Sequence, residues 1–145
     1  MPQALARIEA ARARGVDVAA NIYPYTAGGT GLDATVPTHV FAQGRDAAHA
    51  ALRDPAVRAQ LKKELKAEPQ ANWSNLVNAS GGWKNVVLSS AHNPEYKKFE
   101  GKNFVEIGAA LTRDPADAAW DIWLAALPKR AGALYFMTNA TCRWR

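Results

Sequence analysis

Val16-Asp17-Val18-Ala19-Ala20-Asn21-Ile22-Tyr23-Pro24-Tyr25-Thr26-Ala27-Gly28-Gly29-Thr30-Gly31 is the stretch on which the fold class turns. Up to Ile22 it alternates: Val16, Val18, Ala20 and Ile22 share one face of a predicted strand, and Asp17, Ala19 and Asn21 share the other. Pro24 then removes a ladder donor, and Gly28, Gly29 and Gly31 permit positive φ or a close approach of backbone. Upstream, the pattern predicts an amphipathic helix over 3–14, with Leu5, Ile8 and Arg12 marking successive turns and Gly15 as its stop. Helix, glycine stop and strand together make the αβ joint of an α/β protein.

Downstream, residues 32–44 read as an irregular connection. Asp54-Pro55 opens a second helix, with aspartate as cap, proline in the first turn and a thin stripe of Val57, Leu61 and Leu65. From Glu68 to Gly82 the chain is polar and turn-rich apart from Trp73, Leu76 and Val77, which predicts a long surface excursion or lid. Val86-Val87-Leu88 predicts a second strand ending in the polar loop Ser89-Ser90-Ala91-His92-Asn93-Pro94. A helix follows over 103–111 through Phe104, Ile107 and Leu111. Asp114-Pro115 then repeats the Asp-Pro start for a helix over 115–127, whose broad face carries Ala119, Trp120, Ile122, Trp123, Leu124, Ala126 and Leu127 until Pro128 ends it.

With 145 residues and 48% hydrophobic composition, the chain has enough apolar side chain for one globular core. Lys and Arg outnumber Asp and Glu by 18 to 13, for a formal charge of +5. The cations Arg58, Lys62, Lys63 and Lys66 sit at helical spacing beside acids such as Glu64, a solvated face, and no Arg-rich block interleaved with aromatics occurs; no nucleic-acid partner is expected. Cys142 is the single cysteine, which fits a reducing, cytoplasmic setting. No apolar run approaches the roughly 18 residues of a membrane span, so no membrane partner is expected.

Several side chains invite chemical readings. The glycine cluster lacks the Gly-Lys-Ser/Thr ending and spacing of a phosphate loop. A turn beside a pocket fits it better, with Tyr23 and Tyr25 either facing a ligand or packing, alternatives that spacing leaves open. His39, His49 and His92 form neither HxH nor HExxH. His39 in a loop and His49 on a helix face suit surface or packing roles, whereas His92 follows a strand end, where α/β barrels keep their active sites. Ser89 and Ser90 lack a nucleophile elbow, Cys142 lacks the context of a reactive thiolate, and Trp120 with Trp123 reads as core.

Taken in order, Ile8-Glu9-Ala10-Ala11-Arg12, Ile22-Tyr23-Pro24-Tyr25-Thr26-Ala27-Gly28, Asn93-Pro94-Glu95 with Lys97, Lys98, Gly101 and Lys102, then Asp114-Pro115 with Ala119, Leu124 and Ala131-Gly132, the chain resembles the N-acyl-D-amino-acid deacylases (D-aminoacylases) of the amidohydrolase superfamily, up to about Met137. The resemblance implies a metal-dependent (β/α)8 TIM barrel in which zinc activates a water against an amide carbonyl and an aspartate moves the proton. It implies that 16–22 is a late barrel strand and 86–88 the next. Tyr23 matches a substrate-carboxylate contact, and the substrate-binding set is Tyr23, Tyr25, Gly28 and Gly29, with Gly29 standing where some deacylases have serine. The small-molecule partner is an N-acyl amino acid; oligomeric state is left open.

The family's metal-binding histidines fall upstream of this segment and its aspartate downstream. No metal ligand is therefore assigned to His39, His49 or His92, no catalytic residue is assigned, and no zinc is expected in this chain. Because a complete barrel needs roughly 250 residues, residues 1–137 are expected to be a fragment of the barrel domain, with about 32–82 as an insertion or lid, inactive alone. Residues 138–145 depart from the pattern, and one inserted base near the codon for Thr138 restores an acidic helix start, so a frameshifted or foreign tail is expected. The competing expectation is a small basic α/β binding module without catalysis.

Overall fold

The computed structural model describes residues 2–21, 23, 25–67, 73–126 and 131–136. Its strongest local signals are the two Asp-Pro starts. Asp54 Oδ1 accepts from the Ala56 backbone N–H at 2.8 Å, and Asp114 Oδ1 accepts from that of Ala116 at 2.9 Å. Each carboxylate thus satisfies an N–H that a helix start leaves without an internal partner.

Along the chain run α1 (Pro2–Ala13), β1 (Ala27–Gly31), α2 (Arg45–Ala51), α3 (Pro55–Lys66), α4 (Leu76–Ala79), β2 (Val86–Ser90), α5 (Phe104–Leu111), α6 (Pro115–Ala125) and β3 (Gly132–Phe136). Short 3-10 turns at Leu32–Thr35 and Thr38–Phe41 link β1 to α2. No helix among the described residues is long and apolar enough to cross a membrane. The expected features at Ile22, Pro24, Leu127, Pro128, Cys142, 68–72 and the 138–145 tail lie outside the described residues.

The chain is mixed α/β, and its sheet corrects the expected strand positions. Residues 16–21 belong to no strand, and Val16 is 49% exposed. The strand lies instead on the glycine run, where β1 pairs antiparallel with β3, Gly29 opposite Leu134. β2 pairs antiparallel with the other side of β3, with an irregularity between Leu88 and Ser90. Alternation in 16–22 specifies two faces but supplies no neighbouring ladder, and a strand forms only where one exists. Consecutive strands of a (β/α)8 barrel run parallel, so the antiparallel order β1-β3-β2 differs from the expected barrel arrangement. β3 itself, absent from the sequence-based expectation, buries Ala133 and Tyr135 at the spacing of a half-buried strand.

One hydrophobic core joins these elements. α6 supplies Trp120, Ile122 and Trp123, α5 supplies Phe104 and Ile107, and the sheet supplies Val86, Leu88 and Ala133. Within the stretch expected to be an insertion, Leu32, Val36, Leu52, Leu61, Leu65 and Val77 are also buried in it. Trp123 lies edge-on to Phe41 at 5.9 Å and to His49 at 4.7 Å, so α6 is covered by the 3-10 turn and α2.

The basic face of α3 needs correction too. The Arg58 side chain is only 12% exposed. Its Nε donates to the Leu52 carbonyl at 2.6 Å and its Nη2 to Asp121 at 2.7 Å, while Lys62 Nζ donates to Asp117 at 2.7 Å. These two cations join α3 to α6 instead of facing solvent.

α5 begins with a capping box: Asn103 accepts from the Val105 and Glu106 backbone N–H groups, and Glu106 accepts from that of Asn103 at 3.1 Å. It ends at Thr112 in the left-handed region, φ 52°, and the chain turns sharply into α6. Gly108 makes that turn possible. A Cβ there would sit 2.8 Å from the Arg113 carbonyl oxygen and 3.2 Å from Pro115 N. Gly108→Ala is therefore expected to destabilise by about 1–2 kcal/mol despite the roughly 1 kcal/mol gain in helix propensity, read as a lower urea midpoint. A raised midpoint would show that the α5–α6 turn yields easily.

Candidate functional site

Tyr23 and Tyr25 stand at the entrance to β1. The Tyr23 hydroxyl donates to the Ala27 carbonyl at 3.0 Å. The two rings meet edge-on with centroids 5.0 Å apart, yet Tyr23 is 56% and Tyr25 66% exposed. A paired aromatic surface left in water is the kind of patch that meets a ligand or partner.

β1 presents almost no side chain where Gly28 and Gly29 pass. Together with Leu76, Ser80, Tyr135 and Phe136 they line a cavity of about 340 Å³. Its lining includes neither Tyr23 nor Tyr25, so the structure groups the four expected binding residues as two neighbouring pairs. Tyr135 brings a phenol to this region: its hydroxyl donates to the Gly31 carbonyl at 3.4 Å. Burial, and secondarily the Asp33 carboxylate, hold its phenol well above the ordinary tyrosine range, keeping it a neutral donor. Tyr135 and Phe136 belong to the unforeseen β3 and could have been found only from the alternation in Gly132–Phe136.

The histidines separate. His39 Nε2 lies 2.7 Å from Glu64 Oε2, linking the second 3-10 turn to α3. His49 is buried on α2 against Trp123, and its Nε2 has no hydrogen-bond partner among the described residues. His92 is exposed in the loop after β2. Among the described residues no group of three or more His, Cys, Asp or Glu side chains could hold a metal ion. A zinc site needs three or four such donors, and His39 with Glu64 supplies two, so the described residues do not fit zinc.

A second polar constellation has no motif behind it. Asp33, in the 3-10 turn after β1, pairs with Arg45 at the start of α2. The two flank a cavity of about 720 Å³ that is also lined by Phe41 and Trp73. Their separation in sequence corresponds to no recurrent ligand spacing, so nothing in the sequence announces them.

No family model matches the chain. No curated protein matches it significantly. A solved structure similar to it is the N-acyl-D-glutamate deacylase from Bordetella bronchiseptica, complexed with zinc and a phosphonate inhibitor that mimics the tetrahedral intermediate of the reaction. The likeness has a TM-score of 0.47 at 20% sequence identity, over 94% of this chain. This chain spans 18% of that protein's length.

Proposed function

We propose that the chain is part of a metal-dependent hydrolase that cleaves the amide bond of N-acyl-D-amino acids or related linear amides, and that it is inactive alone. The observation that carries the reading is the exposed Tyr23–Tyr25 pair leading into a strand bare of side chains at Gly28 and Gly29. It occurs in the one motif, Tyr23 to Gly29, that most resembles the deacylases. The tyrosine hydroxyl, which now donates to Ala27, is the group that would turn to a substrate carboxylate, and the glycines leave room for the substrate beside the backbone. In this reading residues 16–22 acquire a ladder only within the parent barrel, 32–82 form its insertion, and the zinc ligands and the proton-shuttling aspartate lie elsewhere in the parent. The single cysteine fits a cytoplasmic setting for it.

Two measurements test the reading. Sequencing across the gene is expected to reveal upstream histidine codons of metal-ligand type and a downstream aspartate, the latter reached through a one-base shift near Thr138. Unrelated flanking frames would refute the parentage. The purified chain is expected neither to take up stoichiometric zinc nor to hydrolyse N-acetyl-D-amino acids, and a chain that bound zinc stoichiometrically and hydrolysed them would refute its inactivity.

One observation favours the second reading, a small binding module without catalysis. The buried side chains form a single core to which the described chain contributes from Leu32 onward, α1 and β1 supplying none of it. One sheet edge is covered as well: Leu88 N–H donates to the Lys102 carbonyl at 3.0 Å, and Gly101 N–H to the Leu88 carbonyl at 2.8 Å, leaving β1 as the open edge. A module melts cooperatively as a monomer, whereas an incomplete barrel aggregates through its edges. Sedimentation combined with thermal melting separates the two.

A further inference from the structure

We infer that the cavity between the two 3-10 turns after β1, the start of α2 and Trp73 is a binding site for a free α-amino acid with an apolar or aromatic side chain. At about 720 Å³ it falls within the range of small-molecule sites, about 300–1,000 Å³. It shares no residue with the Tyr23–Gly29 face and does not depend on the hydrolase reading.

Charge selects the ligand class. Asp33 and Arg45 place one carboxylate and one guanidinium on the same cavity. An anion alone would meet Asp33 unfavourably, a cation alone would meet Arg45 unfavourably, and a neutral sugar would leave both charges to each other. A zwitterion answers both at once: its ammonium meets Asp33, and its carboxylate meets the planar fork of Arg45, whose five N–H donors suit bidentate contact. The pair now closes on itself, as complementary charges do in the absence of a ligand. Because both side chains retain some contact with water, the pairing contributes little and opens readily.

Gly31 leaves room for the carboxylate. A Cβ on Gly31 would collide with Asp33 Oδ1 and push the end of that side chain aside. Gly31 has an ordinary extended conformation, φ −71°, and its backbone needs no glycine. What glycine provides is therefore room for the Asp33 side chain. Phe41, Val36 and Trp73 supply the apolar wall for the ligand's side chain, and all three are anchored in or against the core.

The test uses the purified chain and NMR or calorimetric titration with phenylalanine of each hand. At least one enantiomer is expected to bind in the millimolar range or better. N-acetylphenylalanine, lacking the ammonium, and phenylalanine amide, lacking the carboxylate, are each expected to bind at least about tenfold more weakly, the effect of losing a charge-assisted hydrogen bond. Asp33→Asn and Arg45→Gln should weaken binding comparably. Gly31→Ala keeps both charges and displaces only the mobile end of Asp33, so it should lose binding while the chain stays folded; Lys98→Ala, at an exposed residue away from the cavity, should leave binding unchanged. If a charge variant fails to fold, the ligand series on the unaltered chain decides alone. Absence of phenylalanine binding at millimolar concentration, equal binding of the blocked derivatives, or preference for glucose would each overturn the assignment.

Discussion

Trp123→Ala is expected to lower the unfolding free energy by about 3–5 kcal/mol, a large share of the stability of a small domain. Trp123 is almost wholly buried, and its ring meets both Phe41 and His49 edge-on. Truncation removes the shared wall between α6 and the segment from the second 3-10 turn to α2. The surroundings cannot collapse into the space without moving Phe41 and His49, whose rings meet it. Water entering the space would reach the His49 ring. Trp123→Phe refills most of the volume, so its expected loss is smaller, about 1–2 kcal/mol. Urea unfolding followed by far-ultraviolet circular dichroism measures both. A Trp123→Ala chain within about 1 kcal/mol of the parent, the range of peripheral sites, would mean that residues 38–52 are not packed on α6 and form a detachable flap.

What the sequence made legible follows the range of the interactions concerned. Asp54-Pro55 and Asp114-Pro115 predict α3 and α6 because each cap reaches a backbone N–H two residues on. Val86-Val87-Leu88 predicts β2 because a β-branched run bounded by a polar, proline-ended loop is a local signal. The Asn103 capping box was equally local and could have been found from an asparagine with glutamate three residues later. The first strand was misplaced for a different reason. Alternation in 16–22 is a better strand pattern than Ala27–Gly31, but the ladder is decided by β3, more than a hundred residues away. Against β3 the small residues win locally: even a Cβ at Gly29 would already touch the Leu134 side chain at 3.4 Å. The candidate site divides likewise. Tyr23, Tyr25, Gly28 and Gly29 stand out because they are contiguous, whereas Asp33 with Arg45, and Tyr135 with Gly31, become neighbours only through the fold.

Replacing Arg58 is expected to have the next largest effect, and it tests the one place where the charge pattern misled. A row of cations beside acids at helical spacing reads as a solvated face, for which a substitution should change stability by no more than about 0.5 kcal/mol. In the structure the Arg58 fork instead holds Asp117 at 3.3 Å, Asp121 at 2.7 Å and the Leu52 carbonyl at 2.6 Å, with Trp120 6.0 Å from its guanidinium carbon. Arg58→Ala leaves two carboxylates facing one another with only Lys62 beside Asp117 and Arg113 3.9 Å from Asp121. Asp117 is 17% and Asp121 27% exposed, so the full penalty for a buried unpaired charge must be reduced for residual hydration. A loss of about 2–4 kcal/mol is expected. Lysine should not rescue it, because a point charge on a flexible stem cannot serve three acceptors in the plane of a guanidinium. Asp121→Asn should cost less than Arg58→Ala, since Arg58 then retains Asp117 and Leu52. In a double-mutant cycle Arg58 and Asp121 are expected to couple by about 1–3 kcal/mol. Coupling near zero, with Arg58→Lys as stable as the parent, would return the pair to the solvated surface and leave α3 held to α6 by its apolar stripe alone.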